Sequence, residues 1–358
     1  MSLVKGTGLF APLIAGWLGD SIGLRRTLLG ALLLAGLGLA FLPVSQGFIL
    51  VTLAGVGAQA GVTSINGTMR LLLTRTVDRQ NQKEALGWMR TVNNLGQVMS
   101  YGLASLTATL GTQVLIWFDA LTSLCAFGVG TRLLPAESEL LPSLSRARGS
   151  RNSKVSRGAD SQSQPQSVWW VFAGATLILT GWNFFYEFFS GGIAGRLKVL
   201  HPESGLRTFS LLFVVNTVFC ALLAVAASRW LKRAVPSLIL AVGLTTGALV
   251  LGFYRMESTG ALFLSILLFT AGEIIFGVFG QYLLLRAVPH HPLENSVYSG
   301  AIFVANLGRL IAAGLAFPLV VHASTPDRAI QLTLVVGVLT LIVLLAGYHG
   351  LSRVGDSD

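Results

Sequence analysis

The sequence predicts an all-α polytopic membrane protein, and three observations lead to this prediction. Of the 358 residues, 53% are hydrophobic and only 11% are charged, whereas a soluble chain carries about a quarter charged residues. The mean hydropathy is +0.70. Long continuous apolar runs recur along the whole chain, and such runs form membrane-spanning helices because lipid offers the backbone no other hydrogen-bonding partners. Their continuity excludes an outer-membrane barrel, in which apolar and polar residues alternate.

The apolar runs predict eleven spans separated by short polar connections. In chain order, they cover residues 3–18, 27–45, 48–73, 89–111, 113–133, 168–190, 208–231, 236–254, 260–286, 297–321 and 329–351.

The connection between the first two spans carries the most specific pattern in the chain. Its pattern residues are Gly16, Leu18, Asp20, Gly23, Arg25 and Arg26. The glycines allow a tight hairpin, and the arginine pair places the loop in the cytoplasm, because short loops rich in Lys and Arg stay on that side. This pattern resembles the loop between the second and third helices of the major facilitator superfamily, except that Ser21 stands where the family usually has a basic residue.

The distribution of the other cations supports this topology. With the first loop inside, Lys and Arg favour the cytoplasmic side by about three to one, as the positive-inside rule expects. The formal charge of +10 therefore indicates topology and contact with anionic lipid, not binding of nucleic acid. We expect a multi-pass protein of the cytoplasmic (inner) membrane, monomeric, with the lipid bilayer as its surroundings. The sequence shows no metal-ligating cluster, and we expect no cofactor and no enzymatic activity.

A polar segment and an internal repeat predict two homologous bundles. Residues 135–166 are rich in Ser, Arg and Gln and indicate a flexible cytoplasmic linker. It would separate an N-terminal bundle of five spans, residues 1–134, from a C-terminal bundle of six, residues 167–358. The repeat joins Val92, Asn94, Leu95, Gly96 and the later Gly102, Leu103 and Ala104 to Val304, Asn306, Leu307, Gly308, Gly314, Leu315 and Ala316. Two parallel repeats are what the family resemblance implies.

The same repeat leaves the span at 168–190 without an N-terminal counterpart. We therefore expect the chain to have about 11 of the 12 helices of the family's fold and to begin inside the second one. Either the start codon lies further upstream or the chain is a truncated product.

Charged residues within predicted spans are the first candidates for function, because burying a charge at the bilayer centre costs about 2.5–3.5 kcal/mol. Glu273 and Arg309 lie at comparable depth in neighbouring spans, and we expect them to pair. Their role is either proton coupling or a structural ion pair. Glu187 lies in an aromatic run, Trp182 to Phe189, which is either an interfacial belt or the wall of a cavity. Asn94 is a packing residue or a pore residue.

The first loop is a candidate conformational switch. Asp20 is expected to form a charge network with Arg70, Arg75 or Arg90. The family resemblance implies that this loop stabilises one transport state.

Together these features predict a secondary active transporter that moves a small solute by alternating access. Proton-coupled efflux of an amphipathic compound is the favoured mode, and protons are expected partners besides the solute. The alternative is a non-transporting membrane sensor or scaffold of the same fold. Two family signatures are missing, an arginine near Val51 and a proline motif within Asn94–Gly102, so the resemblance does not specify the substrate.

Overall fold

The computed structural model describes residues 2–106, 112–136, 166–288, 293–321 and 326–355. These residues form helices and contain no strand, which confirms the all-α prediction. The helices are α1 (Ser2–Ser21), α2 (Leu24–Phe41), α3 (Phe48–Thr76), α4 (Gln82–Leu106), α5 (Thr112–Leu133), α6 (Gln166–Leu200), α7 (Gly205–Trp230), α8 (Ala234–Tyr254), α9 (Thr259–Ile275), α10 (Gln281–Ala287), α11 (Glu294–Ala316), α12 (Asp327–Ala346) and α13 (Tyr348–Gly355). Two π-helical turns, Phe276–Gly280 and Phe317–Val321, follow α9 and α11.

Each predicted span overlaps one of these helices, but two helices extend well beyond the predicted ends. The fourth begins at Gln82 instead of residue 89, and the sixth continues to Leu200 instead of ending at residue 190. In the described part of the chain, eight helices are long and apolar enough to cross a membrane, with α9 to α10 counted as one; α1, α4 and α6 are not among them. Eleven membrane crossings therefore stay a prediction.

Many large apolar side chains lie on the outside of the helices, as expected where lipid replaces water as the solvent. They are concentrated on α3 and α12, and include Phe48, Ile49, Leu50, Leu53, Val335, Val338, Leu339, Ile342 and Leu345.

The chain divides into two compact units that do not follow the linear order of the sequence. Unit 1 comprises residues 1–78, 104–169 and 288–303, and unit 2 comprises residues 79–103, 170–287 and 304–358. Helix α4 thus belongs to unit 2, and α11 contributes its first half to unit 1 and its second half to unit 2. The predicted bundles 1–134 and 167–358 were drawn from the sequence repeat, whereas these units are defined by contacts, so the bundles stay a prediction. Most of the predicted linker, residues 135–166, lies outside the described residues.

Small residues set the helix packing within each unit. In unit 1, a Cβ on Gly61 would lie 2.7 Å from the backbone oxygen of Ala31, so α2 and α3 touch through their backbones. In unit 2, the Ser265 hydroxyl of α9 donates to the Ala248 carbonyl of α8 at 2.7 Å. Close backbone approach of this kind is how membrane helices associate when lipid removes the hydrophobic driving force.

Candidate functional site

The acidic side chain of Glu273 lies at the centre of an apolar helix. It is the middle residue of the continuous helical segment Thr259–Ala287, about 21 Å from either end at 1.5 Å per residue. Ser258 is the N-cap of this segment, and its hydroxyl accepts from the Ala261 amide at 3.4 Å. Only 5% of Glu273 is exposed. A carboxylate at this depth requires partners, because an unpaired buried charge costs several kcal/mol.

Both oxygens of the Glu273 carboxylate have partners within unit 2. The Arg90 guanidinium of α4 donates to Oε1 and forms an ion pair with it. The Asn216 amide of α7 donates to Oε2 at 2.7 Å and lies 3.0 Å from the hydroxyl oxygen of Thr270. Because each partner comes from a different helix, Glu273 ties α4, α7 and α9 together. Removing one member of such a pair typically costs about 3–5 kcal/mol.

A π-helical turn directly after Glu273 makes room for the arginine. A Cβ placed on Gly277 would lie 2.5 Å from Cζ and 2.6 Å from Nε of Arg90, so the guanidinium lies against the bare glycine backbone. Single π turns in helices are frequent at functional sites. The glycine is required here for close approach, and its backbone needs no left-handed conformation.

Two further residues border the ion pair. The buried Asn94 side chain donates to the Arg90 carbonyl at 2.8 Å, one turn earlier on α4. The thiol of Cys220, fully buried on α7, interacts electrostatically with Arg90 and Glu273. Asn94 thus contacts the turn of α4 that carries Arg90, whereas its repeat partner Asn306 contacts a different residue, Asn183, at 3.3 Å.

Aromatic side chains of α6 and α9 form a wall beside this pair. The indole of Trp182 stacks on Phe276 with 4.9 Å between ring centroids and on Phe269 at 5.6 Å. Phe189 stacks on Phe269 at 4.0 Å, and Tyr186 lies 5.9 Å from Trp182. We call these five residues the aromatic wall. Three of them, Trp182, Tyr186 and Phe189, belong to the aromatic run Trp182 to Phe189, and all five lie within unit 2.

Arg309 does not pair with Glu273, contrary to the expectation from their similar depths. Its guanidinium lies over the ring of Tyr186, 5.2 Å from the centroid, and Glu273 binds Arg90 instead. The predicted span 89–111 places Arg90 at the cytoplasmic end of its helix. Helix α4 begins seven residues earlier, at Gln82, which moves Arg90 about two turns into the helix. An arginine within an extended amphipathic helix was the signal available in the sequence.

Glu187 is half-buried, next to Tyr186 in the chain, and does not take part in the ion pairs found among the described residues. Its backbone oxygen accepts from the Ser190 hydroxyl at 3.5 Å. Its role in transport stays a prediction.

In unit 1, Asp20 binds the first turn of α11 instead of an arginine. Its carboxylate accepts from the backbone amides of Asn295 at 3.0 Å and Ser296 at 2.8 Å, and from the Ser296 hydroxyl. A carboxylate at a helix N-terminus satisfies unpaired amides and interacts favourably with the helix dipole. The expected network of Asp20 with Arg70, Arg75 or Arg90 is not among the ion pairs of the described residues.

The remaining loop residues position Asp20 and its surroundings. Gly23 adopts φ 97°, which favours glycine, and a Cβ on Gly16 would lie 2.7 Å from the Asn295 carbonyl. Arg25 donates to the Thr131 carbonyl at 2.7 Å, and Arg26 is exposed. Arg75 donates to Asn295 Oδ1 at 3.0 Å and lies 3.9 Å from Glu294. Arg70 is a hydrogen-bonding neighbour of Tyr298.

No group of three or more metal-ligating side chains occurs in the described ranges. A fully bonded carboxylate at the centre of a helical segment long and apolar enough to cross a membrane is typical of membrane transport proteins.

Comparison with known proteins gives the family. The sequence profile of the Major Facilitator Superfamily matches residues 2–316, so the chain belongs to this superfamily. A sequence search of curated proteins returned no match.

Solved structures of the superfamily share the fold at low sequence identity. The proton:xylose symporter XylE bound to 6-bromo-6-deoxy-D-glucose has a TM-score of 0.70 and 13% identity, covering 99% of this chain and 87% of its own. The human organic anion transporter MFSD10 (TETRAN) has a TM-score of 0.66 and 17% identity, and the match covers 96% of this chain and 82% of that transporter. The transporter FucP in the outward conformation has a TM-score of 0.69 and 12% identity, and the match covers 96% of this chain and 88% of FucP. These similarities establish the fold, and the membership makes the chain a multi-pass transporter.

Proposed function

We propose that this chain is a proton-coupled secondary transporter of the cytoplasmic membrane that exports a small amphipathic compound by alternating access, with Glu273 as the proton-binding site. The observation that carries the proposal is the ion pair of Glu273 with Arg90 at the centre of an apolar segment. Intramembrane ionisable residues of this kind mark ion and proton pathways in transporters.

The proposed coupling follows from the number of contacts that depend on the charge of Glu273. While it is ionised, the carboxylate holds Arg90 of α4 and Asn216 of α7. When it takes up a proton, the attraction to Arg90 is lost and one oxygen becomes a donor. The helices α4, α7 and α9 then have a second arrangement available, and a change in proton occupancy shifts the balance between the two.

Asp20 supplies a second charge-dependent contact. Its carboxylate ties α1 to the first turn of α11, and α11 is shared between the two units. We propose that this contact stabilises one transport state and breaks in the other. Coupling of this kind is typically worth about 1–3 kcal/mol.

The aromatic wall supports an amphipathic solute. Its rings form an apolar surface within unit 2, of which Tyr186 is the half-buried part and the other four rings are buried. Sites for small molecules usually combine such a surface with a few placed polar groups.

The proposal is tested with the full chain in proteoliposomes and three naphthalene probes of permanent or no charge: 2-naphthalenesulfonate, 2-naphthalenesulfonamide and (2-naphthylmethyl)trimethylammonium. Export by proton exchange predicts that an acidic lumen drives accumulation of at least one probe, and that the reversed gradient does not. Glu273→Gln should abolish this accumulation but keep exchange of probe down its gradient.

Glu84→Gln is the matched control, because Glu84 forms an exposed ion pair with Arg229 in the same unit. This variant should keep both activities. Full accumulation by Glu273→Gln would rule out Glu273 as the proton site. A wild-type chain that exchanges none of the probes would contradict the proposed transport and favour a sensor or scaffold.

A further inference from the structure

Among the described residues, the cation of Arg309 has an aromatic ring as its partner and no carboxylate. The ion pair of Arg90 and Glu273 is neutral as a whole, so Arg309 adds one positive charge to this part of unit 2. None of the ion pairs in the described part of the chain includes Arg309, and its guanidinium lies over Tyr186. The five donors of a guanidinium suit carboxylate-like groups in a planar, two-point contact, and the contact with the ring leaves them available.

The depth of Arg309 argues against contact with lipid. It lies about 22 Å from the start of α11 and about 18 Å from the end of the following π turn, at 1.5 Å per residue. The side chain is exposed on the protein surface. An exposed arginine at mid-depth favours contact with water, because hydrocarbon penalises the charge.

Close packing of α6 on α11 fixes the position of the guanidinium. Gly308 lies against the backbone carbonyl of Thr180, so closely that any Cβ would collide with it. Nearby, three residues after Thr180 on α6 and two residues before Gly308 on α11, the Asn183 amide donates to Asn306 at 3.3 Å. Arg309 and Tyr186 are therefore held on two helices in direct backbone contact, as required for a preorganised binding site.

The aromatic wall begins at this cation. Tyr186 contacts Trp182 at 5.9 Å and Phe269 at 6.1 Å between ring centroids. A cation with available donors thus adjoins Tyr186, the half-buried edge of the aromatic wall, whose other four rings are buried.

We propose that Arg309 and Tyr186 bind an amphipathic organic anion, with the anionic group on the guanidinium and the apolar body against the half-buried ring of Tyr186. This inference rests on the proposed function, because it names the class of solute that the transporter moves. Glu273 remains the proton site and is not part of the anion contact.

Equilibrium dialysis of the detergent-solubilised full chain tests the proposal without any gradient. The wild type should bind 2-naphthalenesulfonate about tenfold to a hundredfold more tightly than the neutral 2-naphthalenesulfonamide, as expected for a hydrogen bond to a charged group. Arg309→Gln should remove this preference. Arg229→Gln, which removes an exposed arginine of α7 in the same unit, should keep it.

Two results would overturn the inference: an unchanged sulfonate preference in Arg309→Gln, or tighter binding of the trimethylammonium probe by the wild type. If Arg309→Gln does not fold, Arg309→Lys replaces it. Lysine keeps the charge but loses the planar fork, so the sulfonate affinity should fall, and an unchanged affinity counts against the proposal.

Anionic lipid is the other source of a negative group. Replacing phosphatidylcholine by phosphatidylglycerol in the micelles should leave the sulfonate affinity unchanged, and competition by phosphatidylglycerol would assign Arg309 to a lipid headgroup instead.

Failures of the two proposals are distinguishable. Sulfonate binding through Arg309 without uphill transport refutes only the coupling by Glu273. Uphill transport of the ammonium probe, unaffected in Arg309→Gln, refutes only the anion site.

Discussion

Substitution of Gly277 by alanine should break the central ion pair without altering either charged residue. The added Cβ would lie 2.5 Å from Arg90 Cζ, roughly 1 Å inside normal van der Waals contact. The helix backbone at Gly277 tolerates alanine, and the guanidinium is the far end of a flexible side chain. The arginine therefore moves, and Glu273 is left with a longer contact.

The magnitude follows from the geometry. Lengthening a contact between unit charges from about 3 Å to about 4 Å costs about 1.4 kcal/mol at an effective dielectric constant of about 20. Complete loss of a hydrogen bond to a charged group costs about 1.5–3 kcal/mol. We therefore expect Gly277→Ala to destabilise unit 2 by about 1.5–3 kcal/mol and to impair accumulation driven by a pH gradient.

The assay compares Gly277→Ala with Gly243→Ala by thermal unfolding in detergent and by probe accumulation in proteoliposomes. Gly243 lies on α8 of the same unit, and a Cβ there meets nothing within 4 Å. Its replacement should be neutral, or stabilise the helix by about 0.5–1 kcal/mol. Equal unfolding temperatures and equal accumulation in the two variants would refute the reasoning that Gly277 makes room for Arg90.

Three further variants test the rest of the structure. Asp20→Asn removes the negative charge at the N-terminus of α11, whose interaction with the helix dipole is worth about 0.3–1 kcal/mol. Transport should slow while expression and folding stay normal. An unchanged transport rate would mean that the loop is only a turn. Gly16→Ala should lower the unfolding temperature because its Cβ would meet the backbone of α11, whereas Gly30→Ala, with nothing within 4 Å, should not; equal temperatures contradict the close contact. The double variant Arg90→Met/Glu273→Met should unfold at a higher temperature than either single variant, because each single change leaves one buried charge unpaired. A double variant less stable than both would contradict the pairing.

The sequence by itself determined the class of the protein and much of its local structure. Continuous apolar runs can only become helices in lipid, so the all-α fold followed from composition. The turn at Gly23 was also predictable, because φ 97° is a local requirement that glycine meets. The mid-span position of Glu273 followed from counting residues along a helix of fixed rise, and none of these inferences required a distant contact.

The tertiary structure alone decided which groups meet. The partner of Glu273 is 183 positions away along the chain, and the predicted spans placed Arg309, not Arg90, at the depth of Glu273. The choice of Arg90 over Arg309 depended on the early start of α4 and on the space above Gly277. The partners of Asp20 are backbone amides of α11, and a backbone amide has no signature in the sequence because every residue except proline carries one. Electrostatic contacts depend on the distances between residues in the folded protein, whereas hydropathy and helix period depend only on the order of residues along the chain.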